Sequence, residues 1–178
     1  MVGCTESIPA RAESGKTALK TLPSAPDPSD AELYKQFTLP EPTPSNPIVA
    51  AMKFHPLRAS PGGNAELLVY VRIARAHYVH VRSQTFSPLE VSVKLPEGLD
   101  AQGTWRYPQP ESAVGAERVY RNALLLRLPV RVNSKLPESK LNVSGKLSFQ
   151  VCTDELCWPS QSVEVSAPFI IESVGGSP

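Results

Sequence analysis

The chain has 178 residues, 41% of them hydrophobic and 20% charged, with a formal net charge of +1. That is enough apolar material for one domain with a tail, and too little charge for wholesale disorder or for an electrostatic surface that grips nucleic acid. The 19 prolines argue against an all-helical fold, because proline breaks helix interiors, and no run of 18 apolar residues exists to cross a membrane as a helix.

The chain starts Met1-Val2-Gly3-Cys4 and runs on into "TES", without the charged and apolar regions of a signal peptide. Val2-Gly3-Cys4 resembles the end of a bacterial lipoprotein processing box, which makes Cys4 a candidate for lipid attachment; chance and a trimmed linker are the alternatives. Three cysteines leave Cys4 alone and Cys152 and Cys157 as a pair. Residues 1–46 read as a flexible, proline-rich tail: "TLPSAPDPSD" and "LPEPTPSNP" have the composition of extended, solvated chain. Within it "AELYKQF", residues 31–37, can make a helical turn or two but is short for stability alone.

From about Ile48 the pattern takes a period of two. Leu67, Val69, Val71 and Ile73 share one face, opposite Glu66, Tyr70 and Arg72. Leu89, Val91, Val93 and Leu95 repeat the scheme, as do Leu124, Leu126, Leu128, Val130 and Val132. In "KLNVSGKLSFQV" Leu141, Val143, Leu147, Phe149 and Val151 alternate with polar residues, and Val163 to Ile171 forms the last strand. One-sided strands build antiparallel sheets that cover a core from outside. With "SPGGN", "LPEGLDAQG" and "SKLPES" as turns, the expected fold is all-β, an immunoglobulin-like antiparallel β-sandwich over residues 47–173 behind a disordered N-terminal tail.

Cys152 and Cys157 sit in "LSFQVCTDELCWPS", where the strand meets a turn. Even positions from Asn142 to Gln150 are polar, so a strand continuing through Cys152 puts that residue on the solvent side. Asp154 and Glu155 suit a surface turn, across which a disulfide can close. Three readings stand side by side. A zinc site would draw on the cysteines with His55, His77 and His80, although no second pair has ligand spacing. A structural disulfide over so short a loop adds little by chain entropy. A redox pair uses both thiols in exchange with another protein.

"VSGKLSFQVCTDELCWPS" resembles the cysteine-bearing strand and turn of the N-terminal periplasmic domain of the DsbD thiol–disulfide interchange protein and its disulfide-corrector relatives. "AHYVHVRSQ", "VKLPEGL", "WRYPQP" and "VYRNALLLRLPVRV" resemble further segments of that domain in the same order, so the likeness runs from about Ile48 to Ile171. It departs from the common proteobacterial pattern in having four residues between the cysteines rather than five, and Pro159-Ser160 rather than two prolines. The membrane-spanning and thioredoxin-like domains of the full protein are absent from this chain, which implies a separate membrane electron-transfer protein as donor.

The resemblance implies that Cys157 forms the intermolecular disulfide and Cys152 resolves it, and that the "WRYPQP" loop caps the pair, with Tyr107 as the cap residue. Tyr78, His80 and Trp158 are candidates to line the site. No Lys, Arg or His lies between the cysteines, while Asp154 and Glu155 bring like charge that raises a thiol pKa if close in space. The function read from this is extracytoplasmic thiol–disulfide interchange, in the periplasm or cell envelope, as a protein-disulfide reductase component. Its partners would be thioredoxin-like or disulfide isomerase proteins, and it would need neither cofactor nor metal. The alternative is a non-catalytic immunoglobulin-like adaptor whose cysteines brace a turn.

Overall fold

The computed structural model describes residues 30–172, apart from residues 82, 84, 111 and 116. The alternating segments form two four-stranded sheets that share a core. The first runs β1 (Ile48–His55), β3 (Asn64–Ile73), β9 (Ala123–Val132), β6 (Leu99–Ala101); the second runs β2 (Arg58–Ala59), β12 (Gln161–Ile171), β10 (Ser139–Phe149), β5 (Glu90–Lys94). All pairings are antiparallel except the short β12–β2 contact. Most of the expected inward set is buried: Leu67, Val69 and Val71 from β3, Leu124, Leu126 and Leu128 from β9, Val143, Leu147 and Phe149 from β10, and Ala167 and Phe169 from β12, while Val91, Val93, Leu95, Leu141 and Val163 are partly buried against the same core. Phe54 and Phe169 meet across the two sheets with ring centroids 4.2 Å apart. Each buried Val, Leu or Phe side chain contributes about 1.5–3 kcal/mol by leaving water, and a one-residue slip would turn a whole strand inside out, so burial fixes the register. Gly145 sits mid-strand in β10 for a steric reason: a Cβ there would lie 2.6 Å from Val93 Cγ1 and 3.0 Å from the Ser92 carbonyl oxygen of β5.

The outer face of the first sheet is covered where the sequence reads tail. A one-turn helix, α1 (Asp30–Tyr34), drops Leu33 onto Leu68 and Leu125, and Phe37 follows it. Tyr70 lies between Tyr34 and Phe37, at 5.0 and 5.3 Å between ring centroids. Arg127 pairs with Asp30 and with Glu66, and Arg72 with Glu41 at 2.5 Å. The proline-rich composition of the segment hides two apolar residues, Leu33 in the helix and Phe37 just beyond it, that reach the same patch of the sheet. The matching signal on the sheet is the consecutive runs Leu67-Leu68 and Leu124-Leu125-Leu126, which strands with a solvated outer face do not need. Cys4 lies outside the described residues.

A third, smaller sheet was not legible as strands in the sequence. It runs β11 (Val151–Cys152), β4 (Tyr78–His80), β8 (Glu117–Tyr120), β7 (Ser112–Val114). Its strands continue from the finishing ends of β3 and β10 and lead into the start of β9, so it closes that end of the sandwich. Among the described residues, no helix is long and apolar enough to cross a membrane.

Candidate functional site

Cys152 and Cys157 are joined by a disulfide, with Cα atoms 4.0 Å apart. The loop between them is a tight turn: the Thr153 N–H donates to the Leu156 carbonyl at 2.8 Å, and the Thr153 hydroxyl oxygen accepts from the Leu156 N–H at 3.3 Å. Beyond the turn the Trp158 N–H returns to the Val151 carbonyl at 3.0 Å. The two sulfurs are unequal. Cys152 is fully buried, Cys157 is partly exposed, and Leu156 beside it is 50% exposed.

The burial of Cys152 corrects the parity expectation. Strand β10 ends at Phe149, and Gln150 leaves the ladder, its amide donating to the Trp158 carbonyl at 2.9 Å and accepting from the Ser87 N–H at 3.0 Å. The chain then joins the third sheet, where Val151 pairs with Val79 and Cys152 with Tyr78, and both β11 residues are buried. The alternation itself is kept: Val151 stays in the main core with Phe149, and Cys152 lies on the opposite face, where Tyr78 and Val119 pack around it in place of solvent.

β4 delivers two of the expected site residues, Tyr78 and His80. The His80 ring is 3% exposed, with Nε2 3.7 Å from Cys152 Sγ and Nδ1 2.7 Å from Glu117 Oε2. These two atoms are buried with no other partner and are not in aligned hydrogen-bond geometry. A carboxylate oxygen and a bare ring nitrogen would repel at that distance, so a neutral imidazole here carries its proton on Nδ1. The other carboxylate oxygen of Glu117 accepts from the Ser83 hydroxyl at 2.9 Å, and the Ser83 oxygen in turn accepts from the Phe86 N–H at 2.8 Å. That turn lays Phe86 on the imidazole, ring centroids 4.4 Å apart and nearly parallel.

The loop charges are also not bare. Arg121 lies over the Tyr78 ring at 4.7 Å and reaches Asp154 at 3.2 Å, while Glu155 is exposed. The cation that the sequence lacks between the cysteines therefore comes from Arg121, in the link between β8 and β9. Trp158 turns inward and stacks on His77, at 5.5 Å between centroids. Tyr107 lines a cleft of about 610 Å³ with Val81, Pro88, Glu90 and Arg118. Burial pushes its phenol up from the usual tyrosine value, opposed by a hydrogen bond from the Val91 backbone. Tyr78, Val119 and His80 lie against Cys152. Burial likewise raises the phenol of Tyr120, which donates to the Pro108 carbonyl at 2.8 Å and so holds the Tyr107 loop.

The zinc set drawn from the sequence does not assemble. His55 bonds Gln36 at 3.2 Å and His77 stacks on Trp158; only His80 joins the cysteines, all within 4.8 Å. With the sulfurs bonded to each other they offer no thiolate, so the trio is not a cation site in this state. Sequence reasoning missed Glu117, Ser83, Phe86, Arg121 and Leu156. Local pattern carried no signal for them: Glu117, for one, reaches His80 through the pairing of β8 with β4. The assembly can hold one sulfur dry beside a base and offer the other to a partner.

Comparison with solved structures finds likeness to the N-terminal periplasmic domain of ScsB from Proteus mirabilis, at 16% identity over 70% of this chain and 47% of that one, with a TM-score of 0.46. The N-terminal domain of Neisseria meningitidis DsbD in the reduced form is similar at 20% identity, over 66% of this chain and 81% of that one, with a TM-score of 0.37. BcpA, the major pilin subunit of Bacillus cereus, gives 14% identity over 71% of this chain and 40% of that one, with a TM-score of 0.44. The chain thus spans about half the length of the ScsB chain it matches. A search of curated protein sequences finds no match. Residues 45–167, which carry the sandwich up to the middle of β12 and the whole Cys152–Cys157 hairpin, match the family described as thiol:disulfide interchange protein DsbD, N-terminal, and the chain belongs to that family.

Proposed function

We propose that this chain carries reducing equivalents outside the cytoplasm, exchanging disulfides with thioredoxin-like or disulfide isomerase proteins through Cys157. The observation that carries the reading is the asymmetry of the pair: Cys157 is partly exposed at the tip of a hairpin and Cys152 is sealed beneath it. Exchange proceeds by in-line attack of a thiolate on a disulfide sulfur, and the partner must reach the sulfur it attacks. In the reduced chain the Cys157 thiolate attacks the partner's disulfide, forming a mixed disulfide and releasing one partner thiolate. Cys152 then attacks Cys157 Sγ, closing the internal disulfide and releasing the second, so two electrons and two protons leave the chain. The exposed Leu156 offers an apolar contact beside the reacting sulfur. A separate membrane electron-transfer protein would recharge the pair, and lipid attachment at Cys4 would hold the chain at the envelope.

Trapping tests the assignment. Cys152→Ser removes the resolving thiol and should accumulate a covalent complex with a thioredoxin-like protein on non-reducing gels; Cys157→Ser should not. The reverse pattern would exchange the roles. Absence of any complex from both variants, with a reduction potential below about −300 mV, would leave the cysteines as a brace of the turn.

A further inference from the structure

Cys152 has a chemical difficulty that Cys157 does not share. A thiol must lose its proton to become a nucleophile, yet Cys152 has no exposure to water that could take it, and burial among apolar groups disfavours a free thiolate. One basic atom faces it. His80 Nε2 lies 3.7 Å from Cys152 Sγ, and the proton on Nδ1 toward Glu117 leaves the Nε2 lone pair directed at the sulfur. The ring cannot turn away: Phe86 stacks on one face, and Glu117 is itself anchored by the Ser83 hydroxyl. A nucleophile, a base and a carboxylate that orients the base are the parts from which activated cysteines are built.

We propose that His80 is the general base for Cys152, with Glu117 as the positioning residue that fixes its tautomer. In the mixed disulfide the Cys152 proton passes to His80 Nε2 as the Cys152 Sγ–Cys157 Sγ bond forms and the bond from Cys157 Sγ to the partner sulfur breaks. The partner departs as a thiolate with that electron pair, and the imidazolium returns its proton to the departing thiolate or to water. In the opposite direction the same nitrogen protonates Cys152 as the internal disulfide opens. The titratable and charged groups around this step are Glu117 from β8, Cys152 from β11, Cys157 beyond the turn, and Tyr78 on the same strand, beneath the Arg121–Asp154 pair. The biological meaning rests on the interchange reading above, but the step is intramolecular and can be measured without a natural partner.

The test uses the full chain carrying Cys4→Ser throughout, so that Cys152 and Cys157 are its two thiols, reduced and mixed with the chromogenic disulfide dithionitrobenzoate in a stopped-flow instrument. The first thiolate released reports attack by Cys157, and the second reports resolution by Cys152. In His80→Gln the ratio of second to first rate should fall by about 100-fold or more, the span of general base assistance. Glu117→Gln should fall between the two. In the native chain the second rate should level off with rising pH once the imidazole is neutral, whereas in His80→Gln it should climb about tenfold per pH unit until the thiol itself ionises. Equal ratios in the native and His80→Gln chains would overturn the proposal. If His80→Gln fails to fold, the native profile decides alone: a second rate rising tenfold per unit with no plateau refutes the base. Failure to trap any thioredoxin-like partner would sink the interchange reading while leaving both releases in place, so the two failures are distinct.

Discussion

Leu33→Ala tests whether the segment ahead of the family match is part of the folded domain. Leu33 is completely buried against Leu68 and Leu125, and the substitution removes three carbons from that contact. At about 0.8 kcal/mol per carbon the lost transfer energy is ~2.4 kcal/mol. A helix of one turn can settle into the gap, so the cavity penalty is small and the total stays near the low end of the 2–5 kcal/mol range for Leu→Ala, about 2–3 kcal/mol. With an unfolding entropy of about 2.1 cal/mol/K per residue over roughly 140 residues, the melting temperature should fall by about 8 °C. Differential scanning calorimetry and urea titration measure this, with the urea slope expected to stay constant. A shift below about 1 °C would show that Asp30 to Phe37 lies free of the sheet in solution and would return the segment to the tail.

Gly145→Ala should cost about 1–3 kcal/mol by urea unfolding, because the new methyl meets Val93 and the Ser92 carbonyl and β5 must shift; an unchanged midpoint would refute the close approach. Tyr107 and Tyr120 are held protonated above their ordinary value, chiefly by burial. The unfolded chain then releases these protons first as pH rises, so stability is full below the ordinary tyrosine range and declines as pH climbs through the raised values. Tyr107→Phe should flatten that alkaline decline in a thermal melt series, and an unaltered slope would count against it. Leu156→Asp should weaken trapping of thioredoxin-like partners by Cys152→Ser while leaving release from dithionitrobenzoate within about twofold, since a charge at the hairpin tip opposes apolar docking but not attack on a small disulfide.

Where burial alone decides, the sequence was readable. The alternation of Leu67 to Ile73, Leu124 to Val132 and Val143 to Phe149 places those residues in the core as expected, because two facing sheets leave one side of each strand dry. The reading failed where a second rule interfered. Parity carried past Phe149 put Cys152 in water; the alternation holds, but beyond Phe149 the chain enters the third sheet, where Tyr78 and Val119 occupy the face that parity leaves to solvent. Tail composition concealed Leu33 and Phe37, although doubled leucines on β3 and β9 marked a face that something had to cover. Tyr78 and His80 could be nominated because they lie in a segment resembling the family. Glu117 and Arg121 come to the sulfurs only through the pairing of β8 with β4, a tertiary fact with little trace in local pattern.

Gln150 has a further consequence for anyone wishing to transplant this chemistry. Its amide stitches the segment that carries Phe86 to the one that carries Trp158, while the base arrives on β4 and the carboxylate on β8. A synthetic peptide spanning Leu147 to Ser160 would close the ring of sulfurs and nothing more. Grafting the working centre onto another scaffold requires three separate stretches of backbone held in register, together with the amide that laces two of them.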